Sequence, residues 1–257
     1  MIFEKGSLIE QFTDNPDDFL GELEESLTSD HVFLDNEMHE LFEFMEYLHE
    51  ESEEDSSTLI EIFLDATHEK GYASSKAFVR FIVESFGKYG PWIEEILVHV
   101  SEQAELPSEY FEWFINLEID PYAGDGDLYN GSRTPIAGVA ANKTTPPEIL
   151  ESLSNSSIWT IKWRIGMNPS TPKSALMRLV RDASENSNVI IAGVALNPSS
   201  DCELLKQIIE LDNRDLRSLA IKNVNCTDDL KEYALKLGIV DKPFANWGTS
   251  LAWLLHK

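Results

Sequence analysis

The sequence predicts an all-α protein made of an acidic helical bundle followed by a short solenoid of helical repeats. Apolar residues recur at spacings of three and four in the first half, a short motif recurs in the second half, and no segment shows the alternating pattern of a β-strand. The chain has 257 residues, of which 42% are hydrophobic, enough for two ordinary domains. We expect an acidic helical domain at residues 1–118, a linker at 119–132, and the repeat array with a C-terminal capping helix at 133–257.

The net charge of −26 is concentrated in the first half of the chain. Residues 1–130 hold 33 of the 46 acidic residues and five basic ones, a net charge of −28, whereas residues 131–257 carry +2. A negative field of this strength repels nucleic acid and anionic lipid and attracts basic partners. We therefore expect a basic protein as the partner, with no membrane binding and no direct nucleic-acid binding by the intact chain.

The chain begins without the pattern of a signal peptide and contains no apolar stretch long enough to span a membrane, so we expect a cytoplasmic protein. Its two cysteines, Cys202 and Cys226, are too few for a disulfide framework or a four-cysteine metal site. We expect both to be buried free thiols.

The helices of the first half are predicted from caps and apolar spacing. Asn15-Pro16 begins one helix, because asparagine is a good N-cap and proline suits the first helical position. The next helix carries the clearest apolar stripe, in which apolar residues recur at spacings of three and four. Further helices are predicted over 59–67, 78–86, 92–100 and 110–117. The stripe consists of Met38, Leu41, Phe42, Met45 and Leu48.

Carboxylates occupy much of the rest of that striped helix and run on into a predicted loop. Rigid helices can present them where phosphates would lie, at little entropic cost to binding. We therefore predict a partner-binding acidic face, with solubility alone as the competing interpretation. The face comprises Glu37, Glu40, Glu43, Glu46, Glu50, Glu51, Glu53, Glu54 and Asp55.

The second half repeats itself. The motif Ile-Ala-Gly-Val-Ala occurs at residues 136–140 and again at 191–195, each copy followed by one residue and then an asparagine. Four equivalent anchor positions, 142, 168, 197 and 222, are spaced by 26, 29 and 25 residues, with lysine replacing asparagine in the last. A leucine lies eight residues after each anchor. This self-similarity predicts a solenoid, because one short unit cannot bury its own apolar face.

Each unit is predicted to contain two short helices joined by a tight turn. The first helix ends at the anchor asparagine, which tolerates the left-handed conformation of a helix end. Thr145-Pro146 and Thr171-Pro172 predict threonine caps for the second helix. Gly138, Gly166 and Gly193 are expected to let neighbouring helices approach closely.

The segments Asn168–Pro172 and Val194–Pro198 resemble the recurring pattern of the leucine-rich repeat variant family. The resemblance covers residues 133–238. It implies a HEAT-like α-solenoid in which units of two short helices, one of them 3₁₀-like, stack into a right-handed superhelix. The cysteine cluster that holds an iron–sulfur centre in one member is absent, so we carry over no cofactor and no catalytic residue. The resemblance implies a binding scaffold, and fold is a poor guide to function.

Basic residues recur once or twice per unit and could align on one face of the solenoid. Such a stripe could bind nucleic-acid phosphates. The same residues could instead form a solvated helix face, or a docking site for the acidic half. The predicted basic stripe comprises Lys162, Arg164, Arg178, Arg181, Lys206, Arg214 and Arg217.

The sequence gives little sign of catalytic or metal chemistry. His39 with Glu43, and His49 with Glu53, are one helical turn apart, but no second histidine lies four residues from any of the six histidines. The aspartates of the 120–132 segment do not fit the calcium-loop pattern. We expect no enzyme activity, no metal and no cofactor.

Three functional hypotheses remain. The first is a non-enzymatic binding protein or inhibitor whose acidic surface engages a basic protein, as an immunity protein or a DNA mimic does. The second is a nucleic-acid-binding or repair protein that uses the basic stripe of the solenoid. The third is a protein-interaction adaptor that uses the repeat surface, with the acidic half incidental.

Overall fold

The computed structural model describes residues 7–28, 35–69, 76–86, 88, 92–102, 106, 110–117, 134–182 and 187–241. This part of the chain is helical and contains no strand, which confirms the all-α fold class. The chain divides into two compact units, Met1–Phe114 and Ile115–Lys257. The predicted linker at 119–132 lies outside the described residues. Within the described ranges, no helix combines the length and apolar character needed to cross a bilayer.

Unit 1 contains helices α1 to α7. They are α1 (Leu8–Asp14), α2 (Pro16–Thr28), α3 (Asp35–Glu51), α4 (Glu53–Glu69), α5 (Lys76–Ser85), α6 (Trp92–Glu102) and α7 (Phe111–Ile115), the last ending just past the division between the units. α1 was not predicted, because seven residues hold too few apolar positions to show a period. Its N-cap is Ser7, whose hydroxyl accepts the Glu10 N–H at 3.2 Å.

The acidic segment after α3 is helical, so the predicted loop at Glu53 to Asp55 is wrong. α4 begins at Glu53, and a single residue, Ser52, separates it from α3. Carboxylates in a first turn interact favourably with the positive end of the helix dipole. That preference favours helix where the sequence indicated a break.

Aromatic side chains build much of the core of unit 1. Phe44 of α3 meets Phe12 of α1 and Phe19 of α2 edge to face, with centroids 5.4 and 5.2 Å apart. Phe42 meets Phe63 of α4 at 5.8 Å. The predicted stripe of α3 is confirmed, because each of its five apolar residues is at most 6% exposed.

The described part of unit 2 contains helices α8 to α15 in four successive pairs. They are α8 (Pro135–Ala141), α9 (Pro147–Leu153), α10 (Trp159–Met167), α11 (Lys173–Arg181), α12 (Ser187–Leu196), α13 (Cys202–Glu210), α14 (Arg214–Ala220) and α15 (Asp228–Leu237). In the layer of first helices, α10 packs against both α8 and α12, and α12 packs against α14. The second helices cover this layer and share one hydrophobic core with it.

The first helices pack closely because glycine lies where they cross. A Cβ atom on Gly193 would lie 3.2 Å from the Trp163 carbonyl oxygen, and one on Gly166 would lie 3.1 Å from the Ile190 carbonyl oxygen. All described helices of this unit are α-helices. The 3₁₀ geometry implied by the resemblance is therefore not observed in the part described.

Candidate binding surfaces

A row of buried asparagines joins the four helix pairs of unit 2. The Asn168 amide donates to the carbonyls of Ala140 and Asn142 at 2.9 and 2.8 Å. Asn197 donates to Gly166 and Asn168 at 2.7 and 2.8 Å. Both side chains therefore hydrogen-bond the backbone of the preceding unit, and we call this row the asparagine ladder. The backbone of Asn142 and Asn168 is extended, with φ of −67° and −72°, so the predicted left-handed conformation of the anchors is wrong.

The fourth member of the ladder is Asn223, and the predicted anchor at Lys222 is wrong. Asn223 is 6% exposed and donates to the carbonyls of Ala195 and Asn197, both at 2.8 Å. α14 ends at Ala220, three residues before the anchor, whereas the other first helices continue to the residue before it. The true spacings are therefore 26, 29 and 26, and Lys222 is an exposed turn residue.

The threonines after the anchors do not cap the second helices, contrary to prediction. The N-caps are Pro146 and Pro172, which make no side-chain cap hydrogen bond. The hydroxyls of Thr145 and Thr171 instead donate back to the carbonyls of Val139 and Ile165, at 2.6 and 2.7 Å. They fasten each turn to the helix that precedes it.

The third and fourth units vary this contact. Ser200 occupies the same position as the threonines and donates to the Val194 carbonyl at 2.6 Å. The fourth unit has Cys226 there, 5% exposed, and burial raises the pKa of its thiol. Both cysteines are free, as predicted, but the predicted burial is confirmed for Cys226 alone, because Cys202 is exposed.

A second polar row follows the ladder at the same edge. Two residues after the anchor, Ser199 donates to the Pro169 carbonyl at 2.5 Å, and Asn225 donates to the Pro198 carbonyl at 2.7 Å. Ser170 makes the same bond to the Lys143 carbonyl. The polar side chains of this edge are thus largely engaged in holding the units together.

The predicted basic stripe does not form a solvent-facing surface, because three of its members make structural contacts. Lys162 is 8% exposed and is paired with Asp182. Arg178 is paired with Glu151. Arg217 is 7% exposed. Its guanidinium donates to four carbonyls at the C-terminal ends of α13 and α15, those of Ile209, Leu211, Leu237 and Gly238.

The other four members of the predicted stripe differ in their exposure and in the groups that they contact. Arg164 is half-buried and donates to the Ala137 carbonyl at 3.4 Å. Lys206 lies 3.8 Å from Glu210 on its own helix. Arg181 and Arg214 are exposed, and the described residues offer no ion pair to either. The exposed members, Arg181, Lys206 and Arg214, are therefore fewer than half of the predicted stripe.

Carboxylates between successive units are held in their charged form. The Ser174 hydroxyl donates to Glu151 at 2.5 Å, and this bond, with help from Arg178, lowers the pKa of Glu151. Lys173 bridges to Asp201 at 2.7 Å and lowers the pKa of that carboxyl as well. These groups therefore contribute to the contacts between second helices.

The predicted acidic face of α3 is partly internal. Glu43, Glu50 and Glu51 are exposed and Glu46 is half-buried. Glu40 accepts the Leu8 N–H at 3.0 Å, and Glu37 is 8% exposed, so this carboxyl does not belong to a solvent-facing surface. The side chains of Glu53, Glu54 and Asp55 lie outside the described part.

One face of α3 does carry three members of the predicted acidic face, Glu43, Glu46 and Glu50. Residues spaced by three or four lie one above another on a helix. Unit 1 has further exposed acids on α2 and α4. They are Asp18, Glu22, Glu24, Glu25, Glu61 and Asp65. Residues 1–114 hold 29 acidic and five basic residues, a net charge of −24.

Two of the five basic side chains of unit 1 belong to the described part. Arg80 pairs with Glu84 of its own helix at 2.7 Å, and Lys88 is exposed. Lys5, Lys70 and the side chain of Lys76 lie outside it. The segment from α2 to α4 contains no lysine or arginine, so its exposed carboxylates give this part of the surface a strongly negative charge.

An open cleft of about 340 Å³ lies in unit 2, at the edge opposite the ladder. Its lining contains both apolar and polar residues, among them Arg181, Asp182 and Asp212. No group of three or more metal-binding side chains occurs in the ranges that the structure describes. No family model, curated protein or solved structure matches the chain.

Proposed function

We propose that this protein is a non-enzymatic binding protein whose acidic unit engages a basic protein partner. The observation that carries the proposal is the solvent-facing group of carboxylates on α2, α3 and α4, with few basic residues among them. Helices fixed by an aromatic core hold these charges without ordering a flexible segment. An inhibitor of a nucleic-acid-binding protein, or an immunity protein for a basic toxin, has this character.

In this proposal unit 2 is a rigid scaffold of the leucine-rich repeat variant type. The stacked helix pairs and the asparagine ladder support it, since both resist bending between units. The nucleic-acid alternative has lost its main support, because Lys162, Arg178 and Arg217 make structural contacts. The adaptor alternative rests on the cleft of unit 2, whose lining carries both signs of charge.

The test is a capture experiment with the immobilised full chain in native lysate. We expect basic proteins to be retained at low salt and released as salt is raised, because screening weakens attraction between exposed charges. The double variant Glu43→Gln, Glu50→Gln should retain several-fold less of the same protein.

The matched control is Glu148→Gln, Asp229→Asn, which removes two exposed carboxylates from unit 2. It should leave capture unchanged. If the two double variants behave alike, the site is not the α3 face. If the retained proteins are neutral and insensitive to salt, the proposed function is wrong.

A further inference from the structure

Both cysteines of the chain lie at the contact between the third and fourth helix pairs of unit 2. Cys202 is the first residue of α13, and Cys226 lies in the turn between α14 and α15. The Cys202 thiol donates to the Asn225 carbonyl at 3.1 Å. That carbonyl belongs to the peptide group whose nitrogen is the Cys226 amide. The sulfur of one cysteine therefore contacts the backbone next to the other.

Hydrogen bonds between the two turns hold this contact in place. The Asn225 side-chain amide donates to the carbonyls of Pro198 and Ser200 at 2.7 and 3.0 Å. Both acceptors belong to the turn that leads into α13, just ahead of Cys202. The turn that carries Cys226 is therefore fixed against the turn that ends at Cys202.

The contact brings the two cysteines close to the range of a disulfide. A carbonyl oxygen lies about 2.8 Å from the Cα atom of the next residue. With the 3.1 Å contact and the length of the Cys202 side chain, the two Cα atoms are at most about 9 Å apart. A disulfide joins Cα atoms that are roughly 4.4–6.8 Å apart. The pair therefore needs a movement of about 2 Å at most.

The two thiols differ in how they meet an oxidant. Cys202 is exposed, so a dissolved oxidant reaches its sulfur. Cys226 is 5% exposed. The pKa of the Cys226 thiol is raised, chiefly by burial and also by the neighbouring Cys202 thiol, although Lys231 opposes this. Cys226 is therefore protected from direct oxidation, while its sulfur lies beside the cysteine that is oxidised first.

We propose that Cys202 and Cys226 form a peroxide-responsive thiol pair, which joins the third and fourth helix pairs by a reversible disulfide. The Cys202 sulfur attacks one oxygen of a hydroperoxide and the O–O bond breaks. Cys202 becomes a sulfenic acid, and an alcohol leaves, or water in the case of hydrogen peroxide. The Cys226 sulfur then attacks the Cys202 sulfur, so the S–S bond forms and the S–O bond breaks. The hydroxyl group leaves as water with the Cys226 proton. The two thiols lose two electrons in all, and the hydroperoxide gains them.

The disulfide fastens the fourth helix pair to the rest of the array. It closes a loop from Cys202 to Cys226 that contains α14, and α15 begins two residues after this loop. A cross-link of this kind stabilises the fold by reducing the freedom of the unfolded chain. Local opening of α14 and α15 is therefore restrained while the disulfide is present.

The test treats the reduced full chain with a slight excess of hydrogen peroxide and then blocks the remaining thiols with N-ethylmaleimide. We expect an intact mass two hydrogens lower than that of the reduced chain, with no blocked thiol. A peptide map should show Cys202 linked to Cys226. Dithiothreitol should restore both thiols.

The matched control moves the second thiol to a distant exposed position. The variant Cys226→Ser, Asn155→Cys keeps Cys202 and places its partner in the first helix pair, where Asn155 is exposed. We expect no intramolecular disulfide in this variant at the same dose, and dimedone should trap the sulfenic acid of Cys202. The natural pair should cross-link at least about tenfold faster, because its two sulfurs are already close together.

Hydrogen exchange provides a measurement of the consequence. Exchange of α14 and α15 should slow by about tenfold or more once the disulfide has formed, because the closed loop restrains local opening. Exchange of α8 to α11 should be unchanged.

Three results would overturn the proposal. The first is a natural pair that cross-links no faster than the control variant. The second is a covalent dimer through Cys202, which would show that its sulfur meets another copy of the chain before it meets Cys226. The third is unchanged exchange of α14 and α15 after the disulfide has formed, which would show that the bond does not fasten the fourth helix pair. None of these results depends on whether the acidic unit binds a basic partner.

Discussion

Unit 1 and unit 2 are each stabilised internally by a different kind of interaction. Unit 1 depends on apolar and aromatic burial, and its exposed charge is almost all of one sign. Unit 2 places an amide or hydroxyl side chain at the same point of successive turns, each bonded to backbone. Apolar packing permits many arrangements of the same helices, whereas a hydrogen-bonded turn permits few. The difference explains why unit 2 shows a repeat in its sequence and unit 1 does not.

The largest expected effect comes from breaking the ladder. Asn197→Ala removes two bonds to buried carbonyls, those of Gly166 and Asn168, and the contact of its own amide oxygen with the Ser199 N–H. We expect a loss of about 3–5 kcal/mol in the unfolding free energy of unit 2, because buried carbonyls are left without donors. Urea unfolding monitored by hydrogen exchange of α10 to α13 measures it.

The control for this change is Asn155→Ala. Asn155 is exposed and donates only to carbonyls of the adjoining helix end. It should change stability by less than about 0.5 kcal/mol. Exchange in α2 to α4 should be unaffected by both variants, and an equal loss in unit 1 would show that the units are not independently stabilised.

Replacing one glycine by alanine in each unit should change the stability of the two units in opposite directions. Gly193→Ala places a Cβ 3.2 Å from a backbone oxygen and from the Met167 side chain, so we expect destabilisation of about 1–3 kcal/mol. A Cβ added to Gly21 of α2 would have nothing within 4 Å, so Gly21→Ala should stabilise unit 1 by about 0.5–1 kcal/mol. Thermal unfolding of both variants decides the comparison, and destabilisation by Gly21→Ala would contradict it.

A smaller increase in stability is expected from placing a hydroxyl group in the fourth turn of unit 2, where Cys226 stands in place of a threonine or serine. Cys226→Thr introduces the residue found at the first two turns, with the Ala220 carbonyl as its acceptor. We expect a stabilisation of about 0.5–1 kcal/mol, the net value of one hydrogen bond. The reverse change, Thr171→Cys, should lose a similar amount. A destabilised Cys226→Thr variant would show that the fourth turn differs in geometry from the others.

The smallest expected effect is the pH dependence that two carboxylates give to the stability of unit 2. The pKa values of Glu151 and Asp201 are lowered in the folded protein, so their contribution is fully present above their ordinary pKa values, near 4. It is lost as the pH falls through the lowered values, because the unfolded chain binds those protons first. Ser174→Ala should therefore lower the melting temperature at pH 7, and the difference should shrink in acid. A difference that persists at low pH would exclude this cause.

Unit 1 should respond to salt instead. Its exposed carboxylates repel one another. Added salt should raise the melting temperature of unit 1 at neutral pH, because it screens the charges. An unchanged melting temperature would show that repulsion among these carboxylates does not affect the stability of unit 1.

The sequence predicted the helices and the repeat well, because both depend on apolar spacing and on recurring asparagine. The anchor at Lys222 was misplaced by one residue, since the early end of α14 cannot be read from residue types. The roles of Thr145 and Thr171 were also wrong. A threonine before a proline fits a helix cap locally, and only the folded turn shows that the hydroxyl points back to Val139 or Ile165.

The candidate surfaces were predicted less accurately than the fold. Recurring basic residues suggested an exposed stripe, but in a repeat protein a recurring charge can equally contact the neighbouring unit, as Arg178 does with Glu151. Glu37 was assigned to an exposed face because its residue type favours solvent, yet it is buried. Composition gives the charge of a helix, whereas the neighbouring helices decide which charges face solvent.

The five-residue step from each ladder asparagine to the next helix has consequences for how this array could change over time. That step is constant in all four units, from 142 to 147, 168 to 173, 197 to 202 and 223 to 228, while the helices beyond it differ in length. One edge of the array is thus intolerant of insertion and the other is permissive. Evolution can lengthen helices or graft new loops at the permissive edge without disturbing the stacking. That edge is also where an engineer should insert a foreign peptide.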